Sequence, residues 1–144
     1  MAEPLKLRAT DAEDIAVLSS CMQDAVVPLR DIAWLPDERR FVLVASRFRW
    51  EEAAGERVEG RIYERVKTGF RVEDVVRVQR RGIDVRDPGR MLSLLAIAAE
   101  DDTIELVFSG GVSIRLSVAR ILCQIEDIGE PWPTQWRPLH GDGT

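Results

Sequence analysis

The sequence contains few of the residues on which enzyme and metal sites usually depend. Only one of its 144 residues is a histidine, His140, and this residue lies in a segment flanked by glycine and proline. A Ser-His-Asp or Cys-His arrangement needs a firmly held histidine, which such a segment does not supply. No group of cysteines and histidines has the spacing of a common zinc site. We therefore expect no catalytic residue, no metal and no cofactor, and an enzyme is the less favoured class of function.

Two other absences concern the redox compartment and membranes. The two cysteines, Cys21 and Cys123, are too few for a disulfide framework and are expected to be buried as small apolar residues. No window approaches 18 uncharged apolar residues, and the first residues lack the apolar core of a signal peptide. The sequence thus predicts a cytoplasmic protein with no membrane segment. Its 45% apolar and 31% charged residues are typical of one globular domain.

Phosphate-binding glycine motifs are also absent. The stretch LKLRATDAEDIAVLSSCM resembles the first strand and helix of GNAT acetyltransferases, in which a glycine-containing acyl-CoA loop should follow a central strand. In QRRGID, at 79–84, Asp84 stands where that loop needs glycine or alanine so that phosphate can approach. The resemblance therefore fails at the site, and an acetyltransferase is rejected.

A strong hairpin pattern, IELVFSGGVSIRL at 104–116, is the most informative stretch that the sequence does contain. If Ser109-Gly110-Gly111 forms a three-residue loop, all the apolar residues of the hairpin share one face. Glu105 then lies opposite Arg115 on the other face, where the two are expected to form an ion pair. The residues of the apolar face are Ile104, Leu106, Phe108, Val112, Ile114 and Leu116.

Two helices are predicted. TDAE is a capping box in which Thr10 caps a helix over residues 11–26 and Glu13 reaches back to its first turn. Ser117 is expected to cap a second helix, which carries apolar residues at helical spacing and ends at Gly129.

Alternation and turn residues predict strands between these helices. MLSLLAIAA at 91–99 is almost uncharged and is expected to be a central strand. The other strand segments lie on both sides of a turn at Pro36-Asp37-Glu38, at 61–72, at 75–83 and in the hairpin.

The order of these elements predicts an α+β fold with an N-terminal helix, about seven antiparallel strands and a C-terminal helix. Strands at short intervals without intervening helices argue against a parallel sheet. The layout resembles a pleckstrin-homology-type barrel (PH-like barrel), with a strongly bent open sheet as the alternative. Residues 1–129 are expected to form a single domain, followed by a Pro/Trp-rich C-terminal tail at 130–144.

A closer resemblance spans nearly the whole chain. Four stretches of the sequence resemble an uncharacterised bacterial family catalogued as a domain of unknown function. They are MQDAVVPLRDIAWLPDERRFVLVASRFRWE, RVKTGFRVEDVVRVQRRGID, LSLLAIA and the hairpin. This resemblance implies no activity, ligand or site, and it transfers no functional residue.

Charge is unevenly distributed along the chain. The net charge is −5, yet residues 57–90 hold ten basic and six acidic side chains. Alternation along 61–72 and the following strand places most of these basic residues on one outward face, with one tyrosine among them. We name this set the arginine-rich stripe: it consists of Arg61, Tyr63, Arg65, Lys67, Arg71, Arg77 and Arg81.

Three interpretations of the arginine-rich stripe remain open. The side chains are solvated or paired within the protein, or they bind a protein partner, or they bind phosphate or single-stranded nucleic acid. The acidic chain, the single aromatic residue of the stripe and the absence of an RNA-binding motif count against nucleic acid.

The tail carries Trp132 and Trp136 among prolines, a segment too proline-rich for a helix. Because exposed tryptophans are costly, these two are expected to pack over the sheet or to contact a partner or second subunit.

The sequence as a whole predicts a non-catalytic cytoplasmic interaction module with a protein partner or a second copy of itself. A phosphate- or RNA-binding module that uses the arginine-rich stripe is the alternative. An enzyme without a recognisable motif is the second alternative.

Overall fold

Alternation of apolar and polar residues places most of the chain in one antiparallel sheet. The structure is a computed structural model, and it describes residues 4–50, 63–84 and 86–134. These residues form ten strands and one α-helix: β1 (Lys6–Ala9), α1 (Ala12–Met22), β2 (Ala25–Pro28), β3 (Ile32–Leu35), β4 (Arg40–Phe48), β5 (Tyr63–Val72), β6 (Val75–Arg81), β7 (Met91–Glu100), β8 (Thr103–Phe108), β9 (Ser113–Val118) and β10 (Cys123–Thr134). The sheet is open, with the order β1-β10-β5-β4-β2-β7-β8-β9-β6, and β3 pairs with β4 outside this path.

The predicted hairpin is confirmed in its register. Leu106 lies opposite Ile114, and Glu105 lies opposite Arg115, with 3.1 Å between their charged groups. The backbone N–H of Phe108 donates to the carbonyl of Val112 across the three-residue loop. The turn at 36–38 and the central position of β7, between β2 and β8, are confirmed as well.

The predicted C-terminal helix is wrong. Residues 123–134 form β10, which pairs with β1 on one side and β5 on the other. Cys123, Ile125 and Asp127 alternate toward the interior, so the period is 2 rather than 3.6. Gly129 ends no helix, because it lies where the register of β10 shifts between Ile128 and Trp132.

The N-terminal helix is confirmed, but its bounds and cap differ from the prediction. The side chain of Asp11, not that of Thr10, accepts the capping hydrogen bond from the Asp14 N–H at 2.8 Å. Helix α1 ends at Met22, since the following residues enter β2.

The expected α+β class with about seven strands and two helices is therefore wrong. The described residues are mostly β, with one helix and an open sheet rather than a closed barrel capped by a C-terminal helix. This helix lies against β7, where Ser19 Oγ accepts a 2.9 Å bond from the Ile97 N–H next to a bulge in β7. No helix among the described residues has the length and apolarity needed to span a bilayer.

The core lies on the inner face of the sheet, and α1 packs on it. Helix α1 contributes Ile15, Leu18 and Met22. The hairpin contributes the apolar face that the sequence predicts. Strands β4, β5 and β10 contribute further buried apolar side chains to the same core. Cys123 is fully buried as expected, whereas Cys21 is half-buried. The opposite, outer face of β4, β5 and β10 is exposed at Lys67, Arg71 and Ile128, and this part of it carries the candidate site.

Candidate functional site

The arginine-rich stripe is not a single surface. Strand β5 lies between β10 and β4, whereas β6 is at the far edge of the sheet beside β9. In the order of hydrogen-bonded strands, β4, β2, β7, β8 and β9 come between β5 and β6, so no backbone pairing joins Lys67 and Arg71 to Arg77 and Arg81. Arg61 lies outside the described residues.

Tyr63 and Arg65 lie on the same side of β5 as Lys67 but are buried, so the expectation that they are exposed to solvent is wrong. The guanidinium of Arg65 lies 5.9 Å from the centroid of the Phe48 ring and donates to the carbonyl of Ser46 at 3.1 Å. Burial lowers the pKa of Arg65. The ring of Tyr63 packs against Phe48 with centroids 5.4 Å apart, and Trp50 extends this aromatic cluster. Alternation along β5 continues here, but it does not predict that the side chains on both sides of this end of the strand are buried.

Arg77 and Arg81 are exposed on β6, an edge strand that also carries exposed Arg80. None of these three arginines forms an ion pair with another described residue. A bulge between Val75 and Arg77 turns Val76 outward, with 55% of its surface exposed, although alternation predicts it to be inward. Bulges and charged side chains are devices that keep a free strand edge from pairing with another chain. Edge protection therefore accounts for this part of the stripe.

Lys67 and Arg71 instead join two cations that come from β1. Gln124 on β10 lies opposite Arg71 on one side and Arg8 on the other. Glu126 likewise lies opposite Gly69 and Lys6. We name this surface the basic outer face, defined by the four exposed cations Lys6, Arg8, Lys67 and Arg71.

Charges on the basic outer face are only partly neutralised. Glu126 is the one carboxylate among the residues that these pairings bring between the cations, and its oxygen is 3.8 Å from the Lys6 ammonium. Arg71 donates a 3.0 Å bond to the neutral amide of Gln124. Lys67 forms no ion pair or side-chain hydrogen bond with another described residue.

A shallow cavity of about 250 Å³ opens in this face above Gly69, and we name it the Gly69 trough. Gly69 lies between Lys67 and Arg71 on the outer side of β5, opposite Val44 and Glu126. The trough is lined by Val42, Leu43, Val44, Gly69, Phe70, Arg71, Gln124, Glu126 and Ile128.

The fold itself gives no reason for glycine at this position. The φ of Gly69 is not in the left-handed region, and the register of β5 continues through it without a bulge. An added Cβ would meet only the carbonyl oxygen of Glu126, at an ordinary 3.9 Å. Glycine inside a strand costs about 0.5–1 kcal/mol relative to alanine, and it often marks a place where another group approaches the backbone closely.

A second cavity of about 250 Å³ adjoins the trough on the other side of Arg71. Arg8 and Arg71 both line it, and Gln124 is shared by the two cavities. Glu73 also lines this space, but its carboxylate is held by the guanidinium of Arg40 through two hydrogen bonds. The second cavity therefore offers an anion two guanidinium groups.

Behind the trough, the inner face holds a buried polar cluster that the sequence analysis missed. Asp127 accepts two bonds from Arg47, at 2.9 and 2.8 Å, one from the Thr68 hydroxyl at 2.8 Å and one from the Leu5 N–H at 2.9 Å. Burial raises the pKa of Asp127, but these hydrogen bonds and the Arg47 charge lower it by more, so the net pKa is below its ordinary value. The cluster ties β4, β5 and β10 together and fixes the segment that leads into β1.

The structure describes only one of the two tail tryptophans. Strand β10 continues to Thr134, and Trp132 lies opposite Arg65 with 37% of its surface exposed. Trp136 lies outside the described residues.

Metal binding and catalysis by a cysteine nucleophile have little support in the described part of the chain. There, no three or more histidine, cysteine, aspartate or glutamate side chains come together as a metal site would require. Burial raises the pKa of the Cys123 thiol to about 12, which makes it a poor nucleophile.

Lys6, Arg8 and Gly69 are the members of the site that the sequence analysis missed. KLRA at 6–9 alternates basic with apolar residues and predicts a strand with one basic face. Its partner β10, however, is more than 110 residues further along the chain, so no local pattern joins the two.

The comparisons with known proteins give a family and no named relative. No curated protein and no solved structure matches the chain significantly. The model of a family described as "Protein of unknown function (DUF2948)" matches residues 5–140, which confirms the resemblance to a family of unknown function; the chain belongs to that family.

Proposed function

We propose that this domain is a non-catalytic interaction module of the cytoplasm, and that its basic outer face binds an acidic segment of a partner protein. The observation that carries the proposal is Gly69, a structurally unnecessary glycine between Lys67 and Arg71 at the floor of an open trough. A residue that weakens a central strand without serving the fold is explained by an approaching partner.

Charge complementarity favours an acidic occupant. The face carries four cations and one neighbouring carboxylate, while the chain as a whole has a net charge of −5. A local excess of one sign steers partners of the opposite sign and aligns them.

The walls of the trough favour a polypeptide over a nucleic acid. Val42 and Val44 form one side and Ile128, with 42% of its surface exposed, forms part of the other. Aliphatic walls gain free energy by covering aliphatic side chains, which a phosphate backbone lacks. The aromatic residue among those that line the trough, Phe70, is buried, so its ring is not available to stack on a base; exposed Trp132 lies further along β10 and does not line the trough.

Two charge-reversed variants test the proposal. Lys67→Glu/Arg71→Glu reverses charge on the basic outer face, and Arg77→Glu/Arg81→Glu makes the same change in net charge on the β6 edge. The probe is the peptide Thr-Glu-Thr-Leu-Thr-Glu-Thr-amide with fluorescein on its N-terminus, followed by fluorescence anisotropy at low ionic strength, and the acetylated, unlabelled peptide serves as competitor. We expect the wild type and the β6 variant to bind it, with an affinity that falls as salt is added, and the β5 variant to bind at least about tenfold more weakly.

Three results would overturn the proposal. The first is no binding to the wild type, or equal loss in both variants. The second is tighter binding of a single-stranded oligonucleotide of equal charge, which would establish the nucleic-acid alternative instead. The third is a concentration-dependent dimer, seen by light scattering and lost in the β5 variant, which would identify the occupant as a second copy of the chain.

A further inference from the structure

We infer that the Gly69 trough selects one aliphatic side chain that has acidic residues two positions before and two positions after it in an extended segment. This inference rests on the proposed function and adds the sequence pattern of the partner. It comes from the spacing of the groups along β5.

Lys67, Gly69 and Arg71 lie on the same face of one strand. Successive residues of a strand rise about 3.3 Å and alternate between faces, so each step from cation to glycine to cation is about 6.6 Å along the strand. An extended segment lying along β5 presents its own side chains at the same interval. Its central side chain therefore meets the gap above Gly69 while its outer two meet the cations.

The trough has the character of an aliphatic pocket. Its side walls come from Val42 and Val44 on β4 and from Glu126 and Ile128 on β10, so aliphatic groups predominate, and its volume of about 250 Å³ accommodates a branched side chain. The absence of a side chain at Gly69 creates this depth, because every other residue on the outer side of β5 near it projects a long side chain.

The ends of the trough differ in how they hold a carboxylate. Arg71 is oriented by its bond to Gln124 and shares the second cavity with Arg8, so a carboxylate there meets two guanidinium groups. Lys67, at the other end, supplies a single exposed ammonium. We therefore expect the acidic residue near Arg71 to contribute more to affinity than the one near Lys67.

The test is a cycle that pairs a protein variant with a peptide variant. Gly69→Val places a branched side chain in the trough, and its Cβ meets only the carbonyl oxygen of Glu126, at 3.9 Å. Because valine favours strands, we expect the variant to fold and to melt no lower than the wild type. The peptides are acetyl-Thr-Glu-Thr-Leu-Thr-Glu-Thr-amide and the same peptide with alanine in place of leucine.

With the wild type, we expect the leucine peptide to bind about tenfold more tightly than the alanine peptide. With Gly69→Val, we expect the two peptides to bind with equal affinity, because no pocket remains for the leucine. The comparison of the two peptides on the wild type needs no protein variant, so it stands even if Gly69→Val fails to fold.

The outcomes separate this inference from the proposed function. If the wild type binds both peptides equally, or if Gly69→Val retains the preference for leucine, the trough is not the specificity site. The basic outer face would still be the binding surface as long as Lys67→Glu/Arg71→Glu weakens binding. If that charge reversal also has no effect, both the inference and the proposed function are wrong.

Discussion

Replacement of Asp127 by leucine removes the acceptor at the centre of the buried polar cluster. The carboxylate is buried and accepts four hydrogen bonds, two of them from Arg47, which is fully buried. Its loss leaves the guanidinium inside the protein without its bidentate partner, and it also releases the Leu5 N–H that fixes the approach to β1.

The expected loss of folding stability follows from the burial of this ion pair. Breaking a buried ion pair by removing one partner costs about 3–5 kcal/mol, against a total stability of about 5–15 kcal/mol for a domain. At roughly 3–5 °C per kcal/mol for a chain of this size, the melting temperature should fall by about 10–20 °C. Urea unfolding followed by tryptophan fluorescence measures the change in the free energy of unfolding.

The matched control is the double variant Arg47→Met/Asp127→Leu. Replacing both members of a buried pair by apolar residues of similar volume is often neutral or stabilising. We therefore expect the double variant to be clearly more stable than Asp127→Leu alone. A single variant that loses less than about 1 kcal/mol, or a double variant no more stable than the single one, would refute the argument that breaking the buried Arg47–Asp127 ion pair is the cause.

Three further predictions follow from individual groups. Because the pKa of Asp127 is below its ordinary 3.8 in the folded state, the carboxylate stabilises the fold above that pH. The free energy of unfolding should accordingly fall as the pH is lowered through about 4 and below, and fall less steeply in Asp127→Asn. Gly111→Val should destabilise the protein by about 1 kcal/mol or more, because φ at Gly111 is +76°, and an unchanged melting temperature would contradict this. Since the pKa of the Cys123 thiol is about 12, a thiol reagent at pH 8 should label half-buried Cys21 first, as peptide mass spectrometry would show.

The hairpin shows what local sequence is able to predict. Its register depends on residues that are close in the chain, because the loop at 109–111 and the alternation on either side must agree. Only one register places all its apolar side chains inward, so the pattern excludes the others. The ion pair between Glu105 and Arg115 then follows from the same register.

The segment after Ser117 shows where local sequence misleads. Its apolar residues satisfy a helical spacing, and they also satisfy the alternation of a strand at Cys123 and Ile125. What decides between the two is pairing with β1 and β5, which are distant in the chain. Tertiary pairing overrides the local pattern here.

The candidate site was predicted only in part, and for the same reason. Alternation correctly placed Lys67 and Arg71 on the outer face of a strand. It joined them to β6, which follows in sequence, although the backbone pairings of the sheet connect β5 through β10 to β1 and its cations. The trough exists because Gly69 has no side chain. The sequence alone does not reveal it, because its walls come from residues of β4 and β10 that are distant in the chain.

The pairing of β1 with β10 has a consequence for how the domain comes into being. The hydrogen bond from Leu5 to Asp127 joins residues 122 positions apart, so β1 is synthesised long before the strand that receives it. Contacts of such high sequence separation form slowly and late in folding. Arg8 and Lys6 therefore reach Lys67 and Arg71 only after the chain has been made through β10, and a nascent domain does not yet present the surface to which an acidic partner would bind.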